Sequence, residues 1–291
     1  MQDAVGLDVE ALRSLLKTRV IGTGERLLYW PEVDSTNTLA MRLAHERPEE
    51  GLVVLADSQT AGKGRQGRHW VDTPGYHVLS STLLRPLFPP HLLVMIASLA
   101  VVEAIERVCG LQAHIKWPND VLIGERKVCG ILIETCHHAH GQLLAVLGIG
   151  INVNGRLQGR VEQKGREVEL SAIATTLEVA CGHAVSRENV IAELLVEIEK
   201  QYLPLQKEAM QPPSSAAPFD GPVARLIRER WQQRLSTLGR TIMVHQGDKV
   251  IEGVAEAVDE TGTLLLRRPT GEQVCIAWGV VEHFPRLATY P

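Results

Sequence analysis

The chain has 291 residues, 45% of them hydrophobic and 22% charged, with a formal net charge of −4. That length suits two domains at roughly 150 residues each, and the slight acidity argues against a surface that coats nucleic acid. No apolar run reaches the roughly 18 residues of a membrane span. Asp3, Asp8 and Glu10 precede any long apolar stretch, so no signal peptide is read, and five cysteines without C-x-x-C spacing indicate neither a disulfide framework nor a zinc site. A cytoplasmic chain with reduced thiols is expected.

In chain order, Leu12, Leu15 and Leu16 recur at helical spacing before Gly22 and Gly24 break the pattern. "RLLYWPEV" reads as a strand, and "DSTNTLAMRLA" as a helix with three candidate N-cap residues ahead of Leu39 and Leu43. "GLVVLAD" is a second strand, a long polar loop follows, and "YHVLSSTLL" is the next strand. Residues 91–108 are apolar nearly all round, which predicts a helix buried against a sheet. "AHIKWPND" ends a strand at a turn through Pro118, "VLIGERKVCGILIET" reads as two strands joined by a bend, and "GQLLAVLGIGINVN" as another buried strand. After Ser171 the chain turns helical, with Val190, Ile191, Leu194, Leu195, Ile198 and Tyr202 on one face. "KEAMQPPSSAAPFDG" reads as a flexible connection. A helix ("RLIRERWQQRL") and short strand-like runs at 241–245, 250–258, 263–267 and 273–278 then predict a small all-β barrel.

The loop "AGKGRQGRHW" spaces Gly62, Gly64 and Gly67 as G-x-G-x-x-G. A dinucleotide site needs those glycines to open a helix straight after a strand, with an acidic residue about 20 positions on. Here "RHWVDTPGY" follows, and the loop interleaves Lys63, Arg65 and Arg68 with no acid. Backbone N–H groups freed by glycine, together with paired guanidinium bonds, suit a phosphate or a carboxylate instead. The run "CHHAHGQ" holds His137, His138 and His140, but its spacing matches no zinc pattern and it reads as an exposed hairpin turn.

Four ordered motifs carry a resemblance: "DSTN" (34–37), "QTAGKGRQGRHW" (59–70), "KWPND" (116–120) with "RKVCGILIE" (126–134), and "GIGINVN" (148–154). The chain resembles the biotin protein ligases over roughly residues 27 to 205, with a weaker echo in the C-terminal barrel. The resemblance implies an α+β fold: a central mixed β-sheet flanked by helices, of the class II synthetase-like catalytic type, and a small C-terminal SH3-like β-barrel. It divides the chain into an N-terminal helical extension (1–26), the catalytic domain (27–206), a flexible linker (207–221) and a helix plus barrel (222–291). The family joins biotin to a carrier lysine through biotinyl-adenylate, so the implied ligands are biotin, ATP and Mg²⁺. The implied partner is a biotin carboxyl carrier domain, with dimerisation through the central sheet. Family members that also repress transcription carry an N-terminal helix-turn-helix, and only about 30 residues precede "DSTN" here, so no DNA contact is expected.

The same resemblance gives the residues roles. Lys127 meets the reacting carboxylate and phosphate, and Lys63 and Arg65 face the acyl-phosphate from a loop that also includes Gly62, Gly64 and Trp70. Lys116 and Asp120 stand near the α-phosphate and the incoming amine, which Asp120 orients or deprotonates. Ser35, Thr36, Asn37 and Gln59 meet the neutral ureido ring, whose donors and acceptor call for neutral partners. Gly130 and Ile131 line the wall, and Asn152 stands near the nucleotide and its Mg²⁺. Two departures stand out. Lys63 replaces the arginine more usual there and loses the bidentate fork. "CIAWGVVEHF" departs from the family's Ser-Gly-Glu-Val-type ending, leaving Glu282 to stand in for that glutamate. The alternatives are a lipoate or octanoate ligase of the same fold and a non-catalytic biotin sensor.

Overall fold

The apolar runs form one mixed sheet and one antiparallel barrel. The structure, a computed structural model, describes residues 6–137, 141–163, 166–211 and 219–284. His138, His140 and residues 212–218 of the expected linker lie outside them.

Helix α1 (Val9–Leu15) is capped by the Asp8 carboxylate and buries Leu12. The central sheet follows: β1 (Leu27–Val33), β2 (Leu52–Gln59), β3 (Val78–Leu84), β4 (His114–Lys116), β5 (Asp120–Ile123), β6 (Arg126–His137) and β7 (Leu143–Ile151), in the order β1-β2-β3-β7-β6-β5-β4. Among the described strands of this sheet only β1 and β2 pair in parallel, and α2 (Thr36–Glu46) makes the crossover between them. Pro31 is tolerated inside β1 because that strand is an edge, where a missing donor costs no ladder bond.

Each face of the sheet is covered. On one, Ala40 and Ala44 of α2 meet Leu52, Val54, Leu83, Leu144 and Val146. On the other lie α3 (Pro90–Cys109) and, packed against it, a later helix of residues 187–209. Helix α3 begins at Pro90 and stops at Gly110, whose φ of 66° suits only glycine comfortably, and twelve of its side chains are buried. Before that later helix come a hairpin, β8 (Arg160–Gln163) and β9 (Arg166–Glu169), and two short helices, α4 (Leu170–Ile173) and α5 (Leu177–Cys181). Sequence periodicity misses the hairpin because its strands carry one valine each, Val161 opposite Val168, too little for an apolar face. Helix α6 (Arg187–Ala209) is capped by Ser186 and turns the expected apolar face inward.

Helix α7 (Pro222–Arg234) leads into β10 (Thr241–Gln246), β11 (Lys249–Val258), β12 (Leu264–Arg267), β13 (Gln273–Ile276) and β14 (Val280–His283), an antiparallel SH3-like sheet ordered β13-β12-β11-β10-β14. The run expected at 273–278 stops at Ile276, because Gly279 at φ 153° redirects the chain and β14 pairs with β10 instead. The barrel docks on the catalytic sheet through Trp117, which is 2% exposed. Its backbone N–H donates to Thr237 Oγ1 at 3.0 Å and its indole N–H to the Gly262 carbonyl at 2.8 Å. The Arg234 guanidinium adds a fork onto Glu106 of α3.

His77 is 1% exposed and neither ring nitrogen has a partner, so burial, aided by the Arg187 charge, pushes its pKa down to about 4. The unfolded chain binds this proton near pH 6.5 and the folded chain does not, so the stability is complete above that pH and is lost as pH falls toward 4. Urea unfolding at pH 7.0 and 4.5 should show His77→Leu losing less stability on acidification than the parent, by on the order of 3 kcal/mol. Equal losses would refute the assignment.

Candidate active site

A cleft opens on the α2 face of the sheet, between the start of that helix and the loop of residues 61–70. Its floor is bare backbone. Gly130 on β6 and Gly150 on β7 are register partners, and Gly148 faces Leu132. The Trp70 ring lies on the first two: a Cβ at Gly130 or Gly150 would come within 2.9 or 2.7 Å of ring atoms. At Gly148 a Cβ would overlap the Asn37 amide. These glycines serve close approach, since none of the three has a positive φ.

At one end of the cleft the groups are neutral. Gln59 Oε1 accepts from the Thr36 backbone N–H (2.8 Å) and hydroxyl (3.1 Å), occupying a donor at the start of α2 that Ser35 does not cap. Ser81 Oγ lies 2.8 Å from Thr36 Oγ1 and 2.6 Å from Asn37 Oδ1, and its one hydrogen serves one of them. Asn37 Nδ2 donates to Glu134 at 2.8 Å, which fixes the amide's orientation. Ser35, Thr36 and Asn37 are each less than 5% exposed, so a ligand ring here trades water for protein donors and acceptors.

At the other end the groups are cationic. The loop folds as a small hairpin: Trp70 N donates to the Gly62 carbonyl, Lys63 bridges His69, and Gly64 N donates to the Arg68 carbonyl at 2.7 Å. Gln66 and Gly67 take positive φ at its tip. Lys63 Nζ lies 3.4 Å from Glu134, and Arg65 donates to Asn119 Oδ1 at 2.8 Å. Burial lowers the Arg65 pKa, with Asp120 opposing the shift, so this guanidinium is held partly desolvated and short of counter-charge.

Lys127 owes its aim to a bulge. The register of β5 and β6 slips between Val121↔Cys129 and Leu122↔Lys127, leaving Val128 as the extra residue. Val128 and Cys129 are both buried in the core, and Lys127 is turned onto the same face as Gly130. Its Nζ is 2.7 Å from Asp120 Oδ1 and 5.6 Å from the Trp70 ring centroid.

Of the residues named from sequence, Ser35, Thr36, Asn37, Gln59, Lys63, Gly64, Arg65, Trp70, Asp120, Lys127, Gly130 and Ile131 all line the cleft. Three do not. Gly62 is buried inside the loop hairpin with Trp70 O and Gln59 Nε2 about it. Lys116 pairs across from Asp120 on β4, one strand further out. Asn152 is buried just past the end of β7, its amide donating to the Thr175 carbonyl at 3.2 Å.

Comparison with known proteins fits this geometry. The family described as biotin/lipoate A/B protein ligase matches residues 29–154, and the biotin protein ligase C-terminal domain matches residues 237–283. The bifunctional ligase/repressor BirA of Bacillus subtilis is 34% identical over 269 residues, covering 91% of this chain and 76% of that protein. The biotin--[acetyl-CoA-carboxylase] ligase of Paracoccus denitrificans is 33% identical over 246 residues, covering 83% of this chain and 94% of its own. The chain belongs to the biotin protein ligase family. Among solved structures, the Aquifex aeolicus biotin protein ligase in complex with biotin and ATP superposes with a TM-score of 0.68 at 27% identity, over 88% of this chain and 99% of that one.

Within this ligase fold the cleft also draws on residues to which sequence reasoning assigned no role: His69, Leu79, Ser80, Asn119, Leu132, Gly148, Ile149 and Gly150, with Ser81 and Glu134 behind them; Arg68, the loop's third cation, lines it as well. Ser80 and Ser81 interrupt an apolar strand, and that is the signal that finds them, because a hydroxyl inside a buried strand needs a partner. Gly148 and Gly150 announce themselves by alternation, two glycines on one face of β7.

Replacing Gly148 with alanine should displace Asn37 and weaken biotin binding by about 10- to 100-fold, or about 1.4 to 2.8 kcal/mol, measured by titration calorimetry. An unchanged affinity would mean that the position of Asn37 is not needed.

Proposed function

We infer that this protein is an ATP-dependent biotin ligase that activates biotin to biotinyl-5′-AMP and then transfers biotin to a lysine of a biotin carboxyl carrier domain. One observation carries the reading: a single cleft has a buried neutral end and a cationic end, joined by a side-chain-free floor. The neutral end suits a ureido ring. The cationic end suits the place where two anions must meet.

In the first step a carboxylate oxygen of biotin attacks the α-phosphorus of ATP, the bond to the β-phosphate oxygen breaks, and pyrophosphate leaves. Arg65 and Lys127 lower the barrier by opposing the repulsion and the charge that builds on the phosphoryl oxygens, in a site where water is partly excluded. Asp120 holds Lys127 in readiness. In the second step the carrier amine attacks the acyl carbon and AMP departs, with Asp120 placed to orient the amine or take its proton. Lys116, across the hairpin from Asp120, adds positive potential near the phosphate. The hairpin of residues 61–70 covers the adenylate and protects it from hydrolysis. Mg²⁺ would enter with ATP and offset part of the phosphate charge. Asn152, just past the end of β7, supports the segment next to Lys127 that borders the nucleotide; Thr175 N donates to the Lys127 carbonyl there. The same reading includes self-association through the central sheet, which sedimentation with biotin and ATP would register as a doubled mass.

Purified protein given biotin, MgATP and an apo carrier domain should biotinylate the carrier, and lipoate should not compete; no transfer, or preferential use of lipoate, would overturn the reading. Lys127→Gln should lower biotin-dependent ATP–pyrophosphate exchange on the order of 10²- to 10³-fold, with biotin affinity in the absence of ATP nearly unchanged. Equal losses in both would place Lys127 in ground-state binding instead.

A further inference from the structure

Among the barrel residues that meet the catalytic hairpins is one to which the motifs give no role. Thr237, fully buried ahead of β10, accepts the Trp117 backbone N–H at 3.0 Å, and on its other side His283 Nε2 lies 3.0 Å away. His283 Nδ1 lies 3.2 Å from Arg240 Nη1. A guanidinium only donates, so Nδ1 bears the lone pair and the proton resides on Nε2, pointing at Thr237. Arg240 in turn forks onto Glu125 Oε1 at 2.7 Å and Oε2 at 2.9 Å. Glu125 stands in the bend between β5 and β6, two residues before Lys127.

The last strand of the barrel therefore grips the β4–β5–β6 hairpins at two points, the turn that presents Asn119 and Asp120 and the bend that precedes Lys127. We propose that His283 is a positioning residue for the ligase reaction, holding Trp117 through Thr237 and Glu125 through Arg240 so that Asn119, Asp120 and Lys127 keep their places in the cleft. Glu282, its neighbour on β14, alternates to the other face and lies 3.4 Å from His245. From the opposite face of β14 the His283 imidazole reaches Thr237 and Arg240.

The charged groups around the ring agree with a neutral spacer. Lys116 and Arg240 disfavour a proton on it while Glu125 favours one, and with burial as the largest influence the pKa falls to about 4. At working pH the ring is a fixed donor and acceptor.

This inference rests on the ligase reading, and the test separates the two. In the full-length protein, His283→Leu should cut kcat for biotin-dependent ATP–pyrophosphate exchange by about tenfold and leave the biotin dissociation constant within about twofold, because the neutral end of the cleft is held by other strands. His283→Gln, which again offers an acceptor and a donor, should recover most of the rate. In a Thr237→Val background, His283→Leu should cost clearly less than it does in the parent, the non-additivity expected of groups that share the Trp117 contact, with the Arg240 arm accounting for what remains. The proposal is overturned if His283→Leu exchanges at the parent rate, if Gln recovers no more than Leu, or if the two substitutions multiply independently. Should the leucine variant fail to fold, the Gln and Thr237→Val pair decides by the same coupling. A parent protein without exchange activity would refute the ligase reading, and the inference with it.

Discussion

The site depends on a stretch of sheet with no side chains. Around Gly130, Gly148 and Gly150 the backbone of β6 and β7 is open to whatever packs on it, and an indole and an amide already do so. Added methyls there would lift Trp70 and Asn37 off the floor and with them the walls of both ends of the cleft. Close approach is the constraint, and glycine in mid-strand, ordinarily a weakness, is what satisfies it.

On that floor the charges are arranged by burial and by register. A surface lysine at the start of a strand would be worth little, solvated and screened. Lys127 differs because a one-residue bulge turns it onto the cleft face beside Asp120 and the Trp70 ring. Arg65 differs because Asn119 anchors it in a partly desolvated place, and burial there lowers its pKa. Both are held ready for an anion before one arrives, and such preorganisation accounts for much of electrostatic catalysis.

The "KWPND" segment has two jobs. Asn119 and Asp120 serve the cleft, whereas Trp117 is buried against the barrel and bonded to Thr237 and Gly262. The small β-domain is thereby part of the frame around the site, through contacts no motif in its own sequence advertises. It also explains why the atypical ending at 275–284 matters less by its resemblance than by where β14 delivers its side chains.

The sequence by itself determined the strands and helices with strong periodicity, and the resemblance carried by its motifs pointed to "DSTN", the glycine loop, Asp120, Lys127, Gly130 and Ile131, whose residues the structure brings around one cleft. It missed the β8–β9 hairpin, whose apolar face is one valine per strand, and the break between β13 and β14, where a glycine turn is hidden in a β-like run. Only the tertiary structure decided that Lys116 and Asn152 stand outside the cleft, that Ser81 and Glu134 stand behind it, and that His283 reaches the catalytic hairpin. The reason is physical. Local periodicity and residue chemistry are written along the chain, while a bulge that re-aims a lysine or a hydroxyl shared between domains exists only once distant strands have fixed their register.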